Sequence, residues 1–331
     1  MELIVANASG AEQRVALFSS YDFEVGNKTE TNSFQITVLR KEWEAMPAKA
    51  RLYIPGTEWG GLFRELATNT SQDIIQPGGI TWRGMLYRKI ISPEPGYNYA
   101  YSSGELNAII KEKVEAEFPG LMVGSDENTG VEVTDYRYKR YCTLADGLTD
   151  LLKSQGYKLH LEYSQEAAAV VVSAVPIANY SSAIEFSSDM RINYVMSMKS
   201  DGVNHLICLG SGELKDRLVV HLYVDADGNI SQTQTFFGDD EIAEVYDYAG
   251  ANADELIQSG TERLRDLMNI NTFEINIESG EEIEVGDIVG GRDYLSGMSM
   301  TAPITGKILR WQGGFDTIEY KIEDGVTVGG L

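Results

Sequence analysis

The chain has 331 residues, with 50 Asp and Glu against 27 Lys and Arg, a net charge of −23. That length suits two or three domains, and 43% hydrophobic residues supply enough core to exclude wholesale disorder. The acidity argues against nucleic acid or anionic lipid as a primary ligand, because phosphate backbones are bound by clustered Lys and Arg, and no apolar run reaches the ~18 residues of a membrane span.

The opening residues lack a basic region and a long apolar stretch, so no secretory signal is expected. They begin like a strand. Short apolar or alternating runs at 1–5, 15–18, 33–39 and 50–54 follow one another. Phe34, Ile36 and Val38 share one face of the third run. Gly26-Asn27, Pro55-Gly56, Gly60-Gly61 and Pro77-Gly78-Gly79 read as turns between strands. Residues 80–91 read as a further strand, bent at Gly84. Strands at this spacing predict a small barrel or sandwich over residues 1–95.

Ser92-Pro93-Glu94-Pro95-Gly96 reads as a linker, after which the hydrophobic period changes. Leu106, Ile109, Ile110 and Val114 form a helical stripe, with Ser103 as the expected N-cap and Pro119-Gly120 as the stop. A second helix over 143–155 has Thr143 as N-cap, Leu144, Leu148, Leu151 and Leu152 on one face, and Gly156 just past its end. Strands at 158–163 and 168–174 complete an α+β unit over 96–183.

From about Ile184 the pattern returns to β, with strands at 191–199, 205–209, 218–224 and 230–237. Asp225-Ala226-Asp227-Gly228-Asn229 forms a hairpin turn between the last two. Residues 241–249 and 253–268 read as helices, closing a third unit over 184–270. The final stretch, 271–331, reads as β, with strands at 272–277, 284–289, 304–310 and 317–322. Acidity concentrates late: residues 236–331 hold 20 acids and 6 bases.

Little in the sequence carries catalytic chemistry. His160, His205 and His221 stand apart in strand-like surroundings and form no ligand motif. A Cys/His site at His205 and Cys208 would need ligands recruited from elsewhere. Cys142 and Cys208 read as plain thiols, 66 residues apart. Asp225–Asn229 has oxygens at alternate positions, but Ile230 and Phe236 stand where a calcium loop needs Gly and Glu. Gly210-Ser211-Gly212-Glu213-Leu214-Lys215 lacks the ending of a phosphate loop. Glu281/Glu282 and Asp239/Asp240 read as solvated surface. Trp43, Trp59, Trp82 and Trp311 read as core or interface rather than a sugar groove. No catalytic, cofactor-binding or metal-binding residue is expected, and no cofactor.

The segment Ile54-Pro55-Gly56-Thr57-Glu58-Trp59-Gly60-Gly61-Leu62-Phe63, followed by Ile80-Thr81-Trp82-Arg83-Gly84-Met85-Leu86, resembles the N-terminal part of phage-tail hub proteins of Gram-positive phages and PBSX-like prophages. Gly104-Glu105-Leu106-Asn107, Val285-Gly286-Asp287-Ile288-Val289-Gly290-Gly291-Arg292-Asp293 and Met300-Thr301-Ala302-Pro303-Ile304-Thr305-Gly306-Lys307-Ile308 extend the resemblance along nearly the whole chain. It implies a fold similar to the hub of contractile phage tails and type VI secretion spikes. That fold is mainly β with an α+β insert. It has two tube-type β-barrel domains, 1–95 and 184–270, a small α+β domain at 96–183, and a C-terminal β domain at 271–331.

The resemblance implies a non-enzymatic baseplate hub, a homotrimeric ring adapting a six-fold tail tube to a three-fold spike. Its implied partners are the tail tube or tube-initiator protein, the spike, baseplate wedge proteins and the tape-measure protein. DNA only transits the lumen, and stable membrane association is not implied. The implied location is the tail of a virion or a phage-tail-like particle such as a bacteriocin, assembled in the host cytoplasm. Tyr97, Tyr99 and Tyr101, at period two after the linker, are candidates for the subunit contact, or else a half-buried local strand. The competing readings are a tail-associated cell-wall hydrolase or peptidase and a receptor- or carbohydrate-binding tail-tip protein.

Overall fold

The computed structural model describes residues 2–27, 31–180, 192–197, 202–226, 228–268, 272–277, 283–292, 299–322 and 327–329. Two compact units are present. The first comprises Met1–Asn193, Ile275–Gly290 and Pro303–Ile322, and the second Tyr194–Glu274, Gly291–Ala302 and Glu323–Leu331. The fold is mainly β with small α+β parts, as expected.

In chain order the elements begin with β1 (Ile4–Ala6), β2 (Glu12–Val15), β3 (Ser20–Gly26), β4 (Ser33–Leu39), β5 (Arg51–Tyr53), β6 (Gly60–Asn69), β7 (Ile74–Thr81) and α1 (Trp82–Leu86). Next come β8 (Tyr101–Glu105), α2 (Leu106–Glu117), β9 (Met122–Gly124), β10 (Glu132–Arg137), α3 (Leu144–Ser154), β11 (Tyr157–Ser164) and β12 (Ala169–Pro176). After these lie β13 (Ile192–Ser197), β14 (His205–Leu209), β15 (Val219–Val224), β16 (Ile230–Ser231), β17 (Ala243–Asp247), α4 (Ala253–Met268) and β18 (Thr272–Ile277). The chain closes with β19 (Ile288–Arg292), β20 (Ser299–Gln312), β21 (Phe315–Ile322) and β22 (Thr327–Gly329).

The large sheet runs β19-β20-β3-β4-β7-β6-β5-β1-β2, with β21 and β22 also pairing with β20. Val5 and Leu52, from β1 and β5, share one core with Phe23, Ile36 and Leu309, from β3, β4 and β20. Strands far apart in the order therefore fill the same interior, so the sheet wraps around its own core. Strand β20 is antiparallel to β3, with Gly306 opposite Gly26 and Gln312 opposite Ser20. The stretch read as a C-terminal domain thus supplies strands to the N-terminal sheet. Local periodicity carries no signal for a pairing this distant.

Two glycine pairs read as turns lie inside strands instead. A Cβ at Gly61 would overlap the Ile80 carbonyl oxygen, and one at Gly79 the Leu62 carbonyl oxygen. These glycines let β6 and β7, paired edge to edge in the sheet, approach closely, which is the other use of a strand glycine. Residues 80–91 also differ from the expected strand. β7 stops at Thr81, whose hydroxyl caps α1 by accepting from the Gly84 amide at 3.3 Å.

The α+β segment shares a core with the N-terminal strands. Tyr53, Trp82 and Leu86 pack in one cluster with Ile110 of α2, Leu148 and Leu151 of α3, and Leu161 and Val172 of β11 and β12. The expected helical stripes are buried as read. Thr143 caps α3 as expected, accepting from the Asp146 amide at 3.0 Å. The cap of α2 is Glu105, not Ser103. Its carboxylate accepts from the Ala108 amide at 2.9 Å and from the Thr129 amide and hydroxyl at 2.8 and 2.6 Å. Ser103 lies in β8, where its hydroxyl accepts from the Asp135 amide instead.

In the second unit the sheet order is β16-β15-β14-β17. Leu256 and Leu264 of α4 pack on Leu206, Cys208 and Leu222 of the sheet. A Cβ at Gly260 would stand 2.6 Å from the Cys208 sulfur, so a glycine is needed where the helix crosses β14. Residues 241–249, read as a helix, form β17, parallel to β14. The stretch lies between Gly238 and Gly250, both at positive φ, and is too short for a stable helix. The strand read over 230–237 is limited to Ile230–Ser231. The 284–289 strand begins only at Ile288, after a turn built on Asp287.

Candidate assembly surface and buried charge clusters

Seven ionisable side chains converge in the first unit. Arg83 of α1 donates from Nε to Glu58 Oε1 at 2.5 Å, with side-chain exposures of 4% and 7%. The same guanidinium donates to the Leu159 carbonyl of β11 at 3.1 Å. Lys307 of β20 reaches the second Glu58 oxygen at 3.5 Å and lies 4.9 Å from the Trp59 ring centre. Lys158 of β11 bridges Glu284 and Asp287 at 2.7 Å each, and His160 Nδ1 lies 2.7 Å from Glu284 Oε1. Asp287 also accepts the Ala178 and Glu284 amides, both at 2.9 Å. Segments far apart in sequence are thus joined by paired charges.

Burial alone would push Glu58 up, but the charges of Arg83 and Lys307 outweigh it and hold the carboxyl low. Burial likewise opposes ionisation of Glu284, yet hydrogen bonds from His160 and Lys158 bring it down to about 2. The bond to Glu284 raises His160 despite its burial. A lowered carboxylate stabilises the fold above its unfolded value of 4.5 and loses that contribution as pH falls toward 2. A raised histidine stabilises the fold below 6.5 and loses that contribution as pH rises through its folded value. The pair is therefore fully stabilising between pH 4.5 and 6.5. Urea midpoints of the native chain and His160→Gln should differ most in that window. A difference constant from pH 3 to 9 would refute the coupling.

The second unit brings together two histidines that stand apart in sequence. His205 Nε2 faces His221 Nδ1 at 2.8 Å, while His205 Nδ1 faces Glu241 Oε1 at 2.6 Å. Tyr223 stacks on His205 with centroids 4.3 Å apart. If His205 Nδ1 donates to Glu241, its Nε2 accepts from His221, so one proton fills each contact. This chain of bonds ties β14, β15 and the entry to β17. Cys208 faces α4, on the opposite side of β14, so His205 and Cys208 do not form a joint site. Among the described residues, no group of three or more His, Cys, Asp or Glu is placed to hold a metal ion.

Tyr97, Tyr99 and Tyr101 are all exposed, at 65%, 37% and 50%, so the half-buried strand alternative does not hold. Across from them β10 runs into the segment 136–141, Tyr-Arg-Tyr-Lys-Arg-Tyr. Tyr138 points inward and donates to the Ser102 hydroxyl at 3.1 Å. Arg137 and Arg140 are exposed. Arg137 lies 4.8 Å from the Tyr99 ring centre and Arg140 5.1 Å from that of Tyr141. Lys139 pairs with Asp150 at 3.1 Å. The alternation of Tyr with Arg and Lys is the signal in the sequence that marks this surface, and no candidate read from the sequence used it.

The other candidates fall elsewhere. Trp82 is fully buried and Trp59 nearly so, while Trp43 and Trp311 are half-buried against the large sheet's core. The four do not line a common groove. Asp225 accepts the Asn229 amide at 2.8 Å within the hairpin turn. Gly210–Lys215 forms the turn between β14 and β15, with Gly212 at φ +96°. Asp239 and Asp240 are exposed, and Glu281 and Glu282 lie outside the described residues.

Among known proteins, no family model matches the chain, and no curated protein matches it. Solved structures do. A tail protein from Neisseria meningitidis MC58 is 16% identical, with a TM-score of 0.51, over 98% of this chain and 97% of its own. The 43 kDa tail protein of prophage MuSo2 from Shewanella oneidensis is 12% identical, with a TM-score of 0.55, over 98% of each chain. The chain shares its fold, end to end, with these phage tail proteins. That agrees with the fold of the hub family it resembles.

Proposed function

We propose that this protein is the structural hub of a baseplate, in a phage tail or a phage-tail-like particle. The observation that carries the reading is the full-length fold likeness to the Neisseria and Shewanella tail proteins, covering 98% of this chain. Three copies form a ring that adapts a six-fold tube above to a three-fold spike below. The tube-type modules centre on residues 1–95 and 184–270. The ring meets tail tube or tube-initiator, spike, wedge and tape-measure proteins, and assembles in the host cytoplasm before entering the tail. The work of such a part is mechanical and needs no catalytic group.

Two physical features support the reading. In the large sheet β2 and β21 each pair with a single strand among the described strands. Neighbouring subunits in a ring cover edges that otherwise invite aggregation. The net charge of −23 also suits a conduit for DNA, since a wall lined with carboxylates repels phosphate and prevents sticking. The test is the native mass by light scattering after size exclusion. Three copies of 36.6 kDa give about 110 kDa. A monomer at every concentration would remove the ring from the proposal.

A further inference from the structure

We propose that the tyrosine–arginine surface of residues 97–101 and 136–141 docks a second copy of this chain through that copy's carboxylates. The inference rests on the three-fold ring proposed above and names one face of its contact.

The local chemistry is that of an interface. Tyr97, Tyr99, Tyr101 and Tyr141 expose between 37% and 65% of their surface, and two arginines lie among them. Tyr and Arg, with Trp, are the residues enriched where protein contacts concentrate their binding energy. The chain has 50 acids for 27 bases, yet neither Arg137 nor Arg140 pairs with a described carboxylate within 4.0 Å. Their described partners are tyrosine rings. Each ring holds its guanidinium by cation–π attraction, while the N–H fork can still accept a carboxylate in bidentate fashion.

Within that ring, symmetry selects the face that this surface meets. A three-fold ring cannot be built from a face that meets itself; each contact joins two different faces. The face opposite a basic patch must therefore be another part of the same surface, and in a chain of charge −23 that surface is mainly acidic. Long-range repulsion between copies does not forbid this. At physiological salt, charges beyond ~8 Å are largely screened, so the local pairing decides.

A single-stranded nucleic acid fits less well. The arginines already cover faces of Tyr99 and Tyr141 on which bases would stack. A polyanion would also run beyond three cations onto acidic surface.

The experiment compares the full chain with R137E/R140E and R137K/R140K by light scattering and sedimentation. Circular dichroism and urea midpoints check that all three are folded. The expected result is a trimer for the native chain and at least tenfold weaker association for R137E/R140E. The lysine variant should fall between, because it keeps the charge but loses the fork. A second variant, Tyr97→Ser, should weaken association without altering charge. A trimer indifferent to R137E/R140E overturns the inference and leaves the ring intact. A native chain that stays monomeric overturns both. Binding of a (dT)15 oligonucleotide that R137E/R140E abolishes, with the trimer unchanged, overturns it in favour of nucleic acid.

Discussion

Replacing Glu58 with alanine lowers the unfolding free energy of the first unit by about 3–5 kcal/mol, the usual cost of removing one partner from a buried ion pair. Arg83 is then left buried, retaining only the Leu159 carbonyl among its described partners. Lys307 loses the same carboxylate, so two cations are stranded by one substitution. Glu58→Gln keeps the shape and one acceptor but not the charge, and belongs between alanine and the native chain. Replacing both members of the closer pair, as E58L/R83M, should cost less than Glu58→Ala alone, because Lys307 is then the one cation stranded rather than one of two. Urea unfolding followed by tryptophan fluorescence measures all three. Equal losses for the single and double variants would show that shape, not charge pairing, dominates here.

Trp82→Ala should cost a similar amount, about 3–5 kcal/mol, through lost burial and the cavity left behind. Trp82 is fully buried and stacks on Tyr163 at 5.6 Å, and Tyr163 stacks on Tyr53 at 3.6 Å. One column of rings thus joins α1, β11 and β5. The indole nitrogen makes no hydrogen bond among the described residues, so Trp82→Phe should lose far less than alanine. The column also predicts how the unit unfolds. Fluorescence, which reports Trp43, Trp59, Trp82 and Trp311, and far-UV circular dichroism, which includes α2 and α3, should trace the same first-unit transition. Separate transitions on the two sides of residues 92–96 would mean that the shared core does not couple them.

The helices show what could be read from the sequence. Leu144, Leu148, Leu151 and Leu152 fall on one face, Thr143 caps them and Gly156 ends them, so every local signal agrees. Gly61 and Gly79 show the limit. A glycine that makes a turn and one that admits a neighbouring backbone look alike until the neighbour is known. Val245 and Tyr246 suit a strand, but only β14 beside them settles the choice. The charge cluster was hidden for the same reason. Lys158 meets Asp287, 129 residues away, and His160 meets Glu284, 124 residues away. The histidine pair is nearer, 16 residues apart, but depends on the register of β14 with β15. The Tyr–Arg run at 136–141 is local and could have been noticed; its exposure could not.

The pairing of β20 with β3 sets a clock on synthesis. Arg310 meets Asp22 across that pairing, 288 residues later in the chain. At ~5–20 residues per second, β3 waits roughly 15–60 s on the ribosome for its second neighbour. During that time one side of β3 is unsatisfied, open to chaperones or to the wrong strand. A nascent chain stalled before β20 keeps this gap in its sheet, so proteases have a mark by which to tell incomplete chains from finished ones. Strand β20 acts as a seal, and the sheet is complete only once that strand is in place.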